Sequence, residues 1–129
     1  MPRFSQLSDW LAWLETLHPQ AIDLGLSRIY QVANNLNLLQ PPSDISHEYS
    51  GALAINDGHV FIVAGTNGKG SCVATIEHVL LAQDYKVGSF TSPHLHHYSE
   101  RIRIGGKPVE DTLICEAFTA IDQARGDVS

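Results

Sequence analysis

Gly65-Thr66-Asn67-Gly68-Lys69-Gly70-Ser71 is the segment whose residue types and spacing suit the holding of a phosphate. Gly65, Gly68 and Gly70 permit tight or left-handed backbone and let amides close on an anion. Lys69 adds a mobile positive charge, and a helix opening at this point aims its positive end at the same place. The spacing is not the standard GxxxxGK[ST]. Val63 sits where the first glycine belongs, Gly70 follows Lys69 directly, and Ser71 is one place late for the usual magnesium-binding hydroxyl. A glycine-rich strand-to-helix turn with an incidental lysine is the bland alternative, and the position of the loop argues against it.

A second constellation, Thr91-Ser92-Pro93-His94-Leu95 with Tyr98, Glu100 and Arg101, directly follows the second predicted strand. Ligands in open α/β sheets collect outside the carboxyl ends of strands, so this loop is expected beside the first, where its hydroxyls suit Mg2+. Taken alone, Thr91 and Ser92 read as turn chemistry before Pro93. His94, His96 and His97 lack the acids or thiols that complete a tetrahedral metal site and read as solvated or hydrogen-bonded imidazoles. A third segment, Ala21 to Leu26, carries Asp23, which reads as a helix cap, and Leu24 and Leu26, which read as core. Glu100-Arg101 reads as a solvated pair at a strand start. Cys72 reads as a small buried residue at a helix N-terminus, a setting that favours the thiolate form.

The elements that position these residues follow from periodicity. Ser8 and Asp9 precede Trp10, Trp13, Leu14 and Leu17, one face of a helix that His18-Pro19 stops. Leu26, Ile29, Ala33 and Leu36 give a second helical period within 24–39, ended by Pro41-Pro42. Residues 41–57 are rich in Pro, Ser, Asp and Gly and read as an exposed connector, with Asp57-Gly58 a turn. His59 to Ala64 (HVFIVA) has the apolar, β-branched pattern of a buried parallel strand that delivers the glycine loop. Cys72, Val73, Ile76, Val79 and Leu80 form a helical stripe, and Lys86 to Phe90 reads as a second strand, completing a strand, loop, helix, strand unit. Arg101 to Ile104 alternates polar and apolar, Gly105-Gly106 turns the chain, and Val109 to Ala124 carries helical spacing in Leu113, Ala117 and Ala120-Ile121.

Composition bounds the function. With 129 residues the chain builds one ordinary domain, and 43% apolar against 17% charged residues is a globular profile. Eight Lys and Arg against fourteen Asp and Glu leave a formal net charge of -6, without the positive field that attracts nucleic acid. Two cysteines, Cys72 and Cys115, make neither a disulfide framework nor a four-thiolate metal site, which fits a reducing cytoplasm. No stretch approaches a membrane span, and the N-terminus carries no apolar export segment.

Ile22 to Arg28 (IDLGLSR), Val63 to Ser71 (VAGTNGKGS), Lys86 to Leu95 (KVGSFTSPHL) and Tyr98 to Gly106 (YSERIRIGG) together resemble the N-terminal part of the folylpolyglutamate synthase / dihydrofolate synthase family. That family belongs to the Mur-ligase-like ATP-dependent ligases, and its own form of the phosphate loop matches the irregular spacing here. The resemblance implies an α/β fold, the N-terminal part of a phosphate-loop parallel-sheet domain preceded by two helices. Residues 1–40 would form the helical lead-in, 41–58 the connector and 59–129 an incomplete phosphate-loop unit.

It also implies that ATP phosphorylates the carboxylate of dihydropteroate or folate and that the amine of L-glutamate attacks the acyl phosphate. On the matching positions, Gly65, Thr66, Asn67, Gly68, Lys69, Gly70 and Ser71 would hold the ATP phosphates, with Cys72 adjoining and Lys69 in the catalytic role. Ser92, with Ser71, would ligate Mg2+, and Ile22, Asp23 and Leu24 would line the pterin pocket. Family members are much longer, so the chain reads as an N-terminal fragment, inactive alone and prone to self-associate. A stand-alone nucleotide-binding module is the competing expectation. An NTPase is disfavoured because no apolar strand ending in Asp or Glu follows Ser71.

Overall fold

The computed structural model describes residues 2–17, 26–38 and 59–128. The Ile22-Asp23-Leu24 segment and the 41–58 connector lie outside them. In chain order the elements are α1 (Leu7–Thr16), α2 (Ser27–Asn35), α3 (Lys69–Leu81), β1 (Gly88–Phe90), a 3-10 helix (Tyr98–Arg101), β2 (Ile102–Ile104), β3 (Lys107–Pro108) and α4 (Asp111–Arg125). They divide into two compact units, Met1–Val60 with Cys115–Ser129, and Phe61–Ile114.

In the first unit, α1 is built around Trp10, which is 1% exposed. Its ring meets Phe4 and Trp13 edge-on at 5.3 and 5.7 Å and lies 5.8 Å from Phe118 on α4. The indole N–H donates to the Phe4 carbonyl at 3.2 Å, so the buried polar edge is satisfied. The helix starts one residue before the expected cap. Gln6 is the N-cap, without a side-chain cap bond, while Asp9 keeps its expected place in the first turn. Arg3 and Arg125 lie over Trp13 at 4.5 and 5.3 Å, and both bond Asp122. Burial raises the Asp122 carboxyl, but the hydrogen bonds from Arg3 and Arg125 outweigh it and hold the group below its usual range. On α2 only Ala33 of the expected apolar face is buried, while Leu26 and Ile29 are exposed. The Asn35 side-chain amide ties α2 to the Ala124 carbonyl of α4 at 2.8 Å.

The second unit sets α3 against a three-stranded antiparallel sheet of order β1-β2-β3. Gly88 pairs with Ile104, Ser89 with Arg103 and Phe90 with Ile102. Gly105 and Gly106 link β2 to β3 with φ of 59° and 78°. Two successive left-handed residues make a turn whose twist matches the hairpin, and only glycine adopts both cheaply. A Cβ on Gly106 would also stand 2.9 Å from Leu81 Cδ1. Pro108 sits on the edge strand, where its missing N–H leaves no gap in a ladder.

Two strand expectations change. His59 to Ala64 is not in a ladder, and Val60, Phe61 and Ile62 are exposed, Ile62 by 90%. A parallel strand exists only through its neighbours' hydrogen bonds, and no described residue supplies them. The Lys86 to Phe90 run becomes a strand only from Gly88, and its partner is the antiparallel β2. No parallel strand pair is present among the described residues.

Candidate functional site

Both chemistry-bearing loops fall in the second unit. The glycine loop runs directly into α3, whose N-cap is Gly68 at φ 75°. Left-handed backbone there turns the chain so sharply that any side chain is strained, and Gly65 at φ 148° is in the same position. A Cβ at Gly68 or Gly70 would meet nothing within 4 Å, so open space stands where side chains would otherwise exclude a ligand. The first helical bond of α3 runs from the Cys72 N–H to the Gly68 carbonyl at 2.9 Å. The amides that precede it are the helix's orphan donors, and they open on the exposed loop.

Lys69 bends back over this loop. Its ammonium donates to the Gly65 carbonyl at 2.7 Å and the Thr66 carbonyl at 3.3 Å. Orphan amides, open glycines and a charged donor form a donor set that fits a polyphosphate. Cys72, expected to be buried, is exposed beside this set because it faces outward on the first turn of α3.

The second loop leaves β1 at Phe90, and the Thr91 amide extends the ladder by donating to the Arg101 carbonyl at 2.9 Å. Ser92 is exposed, and its bond to Pro93 is cis. Glu100 holds the rest of the loop: its carboxylate accepts the backbone N–H groups of Leu95, His96 and His97 at 2.9, 3.1 and 2.9 Å. Those amides, the Leu95 bond first and the His97 bond next, lower the Glu100 carboxyl below its ordinary 4.5. The Arg101 guanidinium donates to His94 Nδ1 at 2.8 Å and lies 5.2 Å from the Tyr98 ring centre. Glu100 and Arg101 are therefore two separate anchors of the loop instead of a solvated pair.

Because the folded Glu100 carboxyl titrates lower than it does in an unfolded chain, its contribution is present above pH 4.5 and fades as pH falls through the folded value. Protection of the 95–97 amides from hydrogen exchange, taken relative to their intrinsic rate at each pH, is expected to fall along that descent, and Glu100→Gln should remove that protection already at neutral pH. Protection unaltered by the substitution would show that the loop is held by other contacts.

The expected magnesium hydroxyls, Ser71 and Ser92, are both exposed. No cluster of three His, Cys, Asp or Glu suited to a metal ion occurs among the described residues. Mg2+ keeps several waters and takes one or two protein oxygens together with substrate phosphates, so a hydroxyl-based site fits its chemistry.

One feature of the site escapes a reading of motifs. Glu77 on α3 is 4% exposed, paired with Arg103 of β2 at 3.1 Å and accepting the Ser89 hydroxyl at 3.0 Å. The signal was its spacing. Val73, Ile76, Glu77 and Leu80 fall at i, i+3, i+4 and i+7, so a carboxylate occupies an inward place of the apolar stripe.

No protein-family model matches the chain. It is 42% identical over 125 residues to the dihydrofolate synthase/folylpolyglutamate synthase of Escherichia coli (strain K12), a match spanning 97% of this chain and 26% of that protein. Escherichia coli FolC in complex with DHPP and ADP superposes with a TM-score of 0.78 at 42% identity, over 97% of this chain and 27% of that one. The bifunctional folylpolyglutamate synthase/dihydrofolate synthase of Yersinia pestis complexed with AMPPNP and Mn ion gives 0.76 at 42% identity, with the same coverage. The chain thus spans about a quarter of the length of the curated relatives it matches. These likenesses give the fold as the N-terminal portion of a Mur-ligase-like α/β architecture. No helix among the described residues is long and apolar enough to cross a membrane.

Proposed function

Since this chain is homologous over nearly its whole length to the N-terminal quarter of the dihydrofolate synthase/folylpolyglutamate synthases, we propose that its full-length form is a cytoplasmic, ADP-forming ligase joining L-glutamate to dihydropteroate or a folate. The observation that carries the proposal is the loop at the head of α3, with left-handed Gly68, open space at Gly68 and Gly70, and the Lys69 ammonium resting on carbonyls it can exchange for phosphate oxygens.

On this reading ATP supplies the phosphoryl group that turns the substrate carboxylate into an acyl phosphate, from which the amine of glutamate displaces phosphate. The residues of this chain do the positioning. Backbone amides from Gly65 to Ser71 orient the phosphates, with Thr66 and Asn67 in the loop and Cys72 beside it. Lys69 neutralises charge developing on the transferred group. The hydroxyls of Ser92 and Ser71 hold Mg2+, and Ile22, Asp23 and Leu24 line the pterin pocket.

The 129 residues alone are inactive and self-associate, a reading supported by the exposed apolar run Val60 to Ile62. The test is phosphate release by the full-length protein. Release is expected only when ATP, L-glutamate and a pteroate or folate are all present, whereas release with ATP alone would replace the ligase by an NTPase.

A further inference from the structure

We propose that Glu77 is a positioning residue of the phosphate site, its buried carboxylate fixing the strand that leads to Ser92 against the helix that begins at Lys69. The inference rests on the nucleotide and magnesium roles proposed above for Lys69 and Ser92. The carboxylate bonds three elements at once. It belongs to α3, accepts the Ser89 hydroxyl of β1 at 3.0 Å, and takes Arg103 Nε of β2 at 3.3 and 3.1 Å on its two oxygens. Arg103 also donates through its terminal nitrogen to the Gly106 carbonyl, which joins the β2–β3 turn to the same network.

The leverage is short on both sides. Glu77 lies eight residues, about 12 Å of helix, beyond Lys69. Ser89 precedes Ser92 by three residues, and the Thr91–Arg101 backbone bond stiffens the step between them. The Ser89 and Arg103 side chains point to α3, so strand alternation puts Phe90, Ile102 and Ile104 on the opposite face. The contact between sheet and helix is thus polar and directional at its centre. An ion pair that buries its carboxylate while its Arg103 partner stays 33% exposed is weak as a source of stability, because two apolar side chains of similar volume would hold the same layers together. Its directional bonds fix one register between helix and strand, which apolar packing leaves freer to slide. Transfer of a phosphoryl group depends on that register, since misplacement by about 1 Å costs up to roughly 100-fold.

Glu77→Gln in the full-length protein keeps the side-chain shape and an acceptor for Ser89 but removes the charge that orients Arg103. Calorimetric titration with ATP, once with magnesium and once with EDTA, separates positioning from folding. The Mg-ATP affinity is expected to fall about tenfold, with the metal-free affinity changed less than about twofold. Combined with Ser92→Ala, the substitution should cost little beyond Ser92→Ala alone, because it acts through that hydroxyl. Arg103→Lys, which keeps a charge within reach of Glu77, should retain most of the magnesium-dependent gain and serves should the Gln variant fail to fold.

Wild-type Mg-ATP affinity in Glu77→Gln overturns the inference, as do equal losses with and without metal, losses that multiply with Ser92→Ala, or a complete loss of the gain in Arg103→Lys. If the unsubstituted protein shows no magnesium-dependent gain, or Ser92→Ala leaves the gain intact, the magnesium role assigned to Ser92 falls first and this inference falls with it.

Discussion

Replacing Lys69 by alanine is expected to weaken Mg-ATP binding to the full-length protein by about 100-fold. The ammonium is the only cationic side chain within Gly65 to Ser71, and a hydrogen bond to a charged partner contributes about 1.5–3 kcal/mol, of which 2.8 corresponds to that factor. The resting contacts to the Gly65 and Thr66 carbonyls set the exchange. The lysine leaves neutral acceptors for charged ones, so its bonds strengthen when a phosphate arrives. Alanine forfeits that gain and also frees the loop the lysine holds closed. Titration calorimetry on the wild type and the variant measures the loss, with circular dichroism to establish that both are folded. Equal affinity in two folded proteins would remove the loop from the nucleotide site and leave the ligase proposal without its anchor.

The second large effect concerns stability. Trp10→Ala is expected to destabilise the unit containing α1 and α4 by about 3–5 kcal/mol, a large share of the roughly 5–15 kcal/mol by which domains hold together. Trp10 fills the space between Phe4, Trp13 and Phe118, and the other residues buried among those described in that unit, Leu7, Ala33 and Cys115, are smaller. Its removal leaves a cavity and takes the indole donor from the Phe4 carbonyl. Urea unfolding followed by circular dichroism reads the change as a lower midpoint, and a shift worth less than about 1 kcal/mol would mean that the site collapses around the missing ring.

How far the molecule was legible varies from residue to residue. The helix around Trp10, the helix after the glycine loop and the turn at Gly105-Gly106 were readable because each is set by local rules: apolar spacing, backbone freedom, caps within a few positions. The start of α1 moved by one residue, since Gln6 caps it through its backbone and the periodic pattern does not register that, and α2 occupies only Ser27–Asn35 of the expected 24–39. The His59 to Ala64 run has the apolar, β-branched composition of a strand, but composition gives only willingness to pair. The Glu100 anchor was hidden because its three partners are backbone amides, which carry no mark in the sequence. The inward place of Glu77 is legible from its spacing, but its partners are not, because they lie 12 and 26 positions away.

The amino-acid sequence by itself determined the glycine loop and the helix that follows it, since three glycines and a lysine ahead of a helical stripe need no distant contact to set that backbone. Only the tertiary structure decided that the strand leading to Ser92 pairs antiparallel with β2 and that a buried carboxylate binds both to α3. Pairing direction and the ionic partner of a buried charge depend on which segments meet in space, and the free energy of such meetings is shared among residues far apart in the chain.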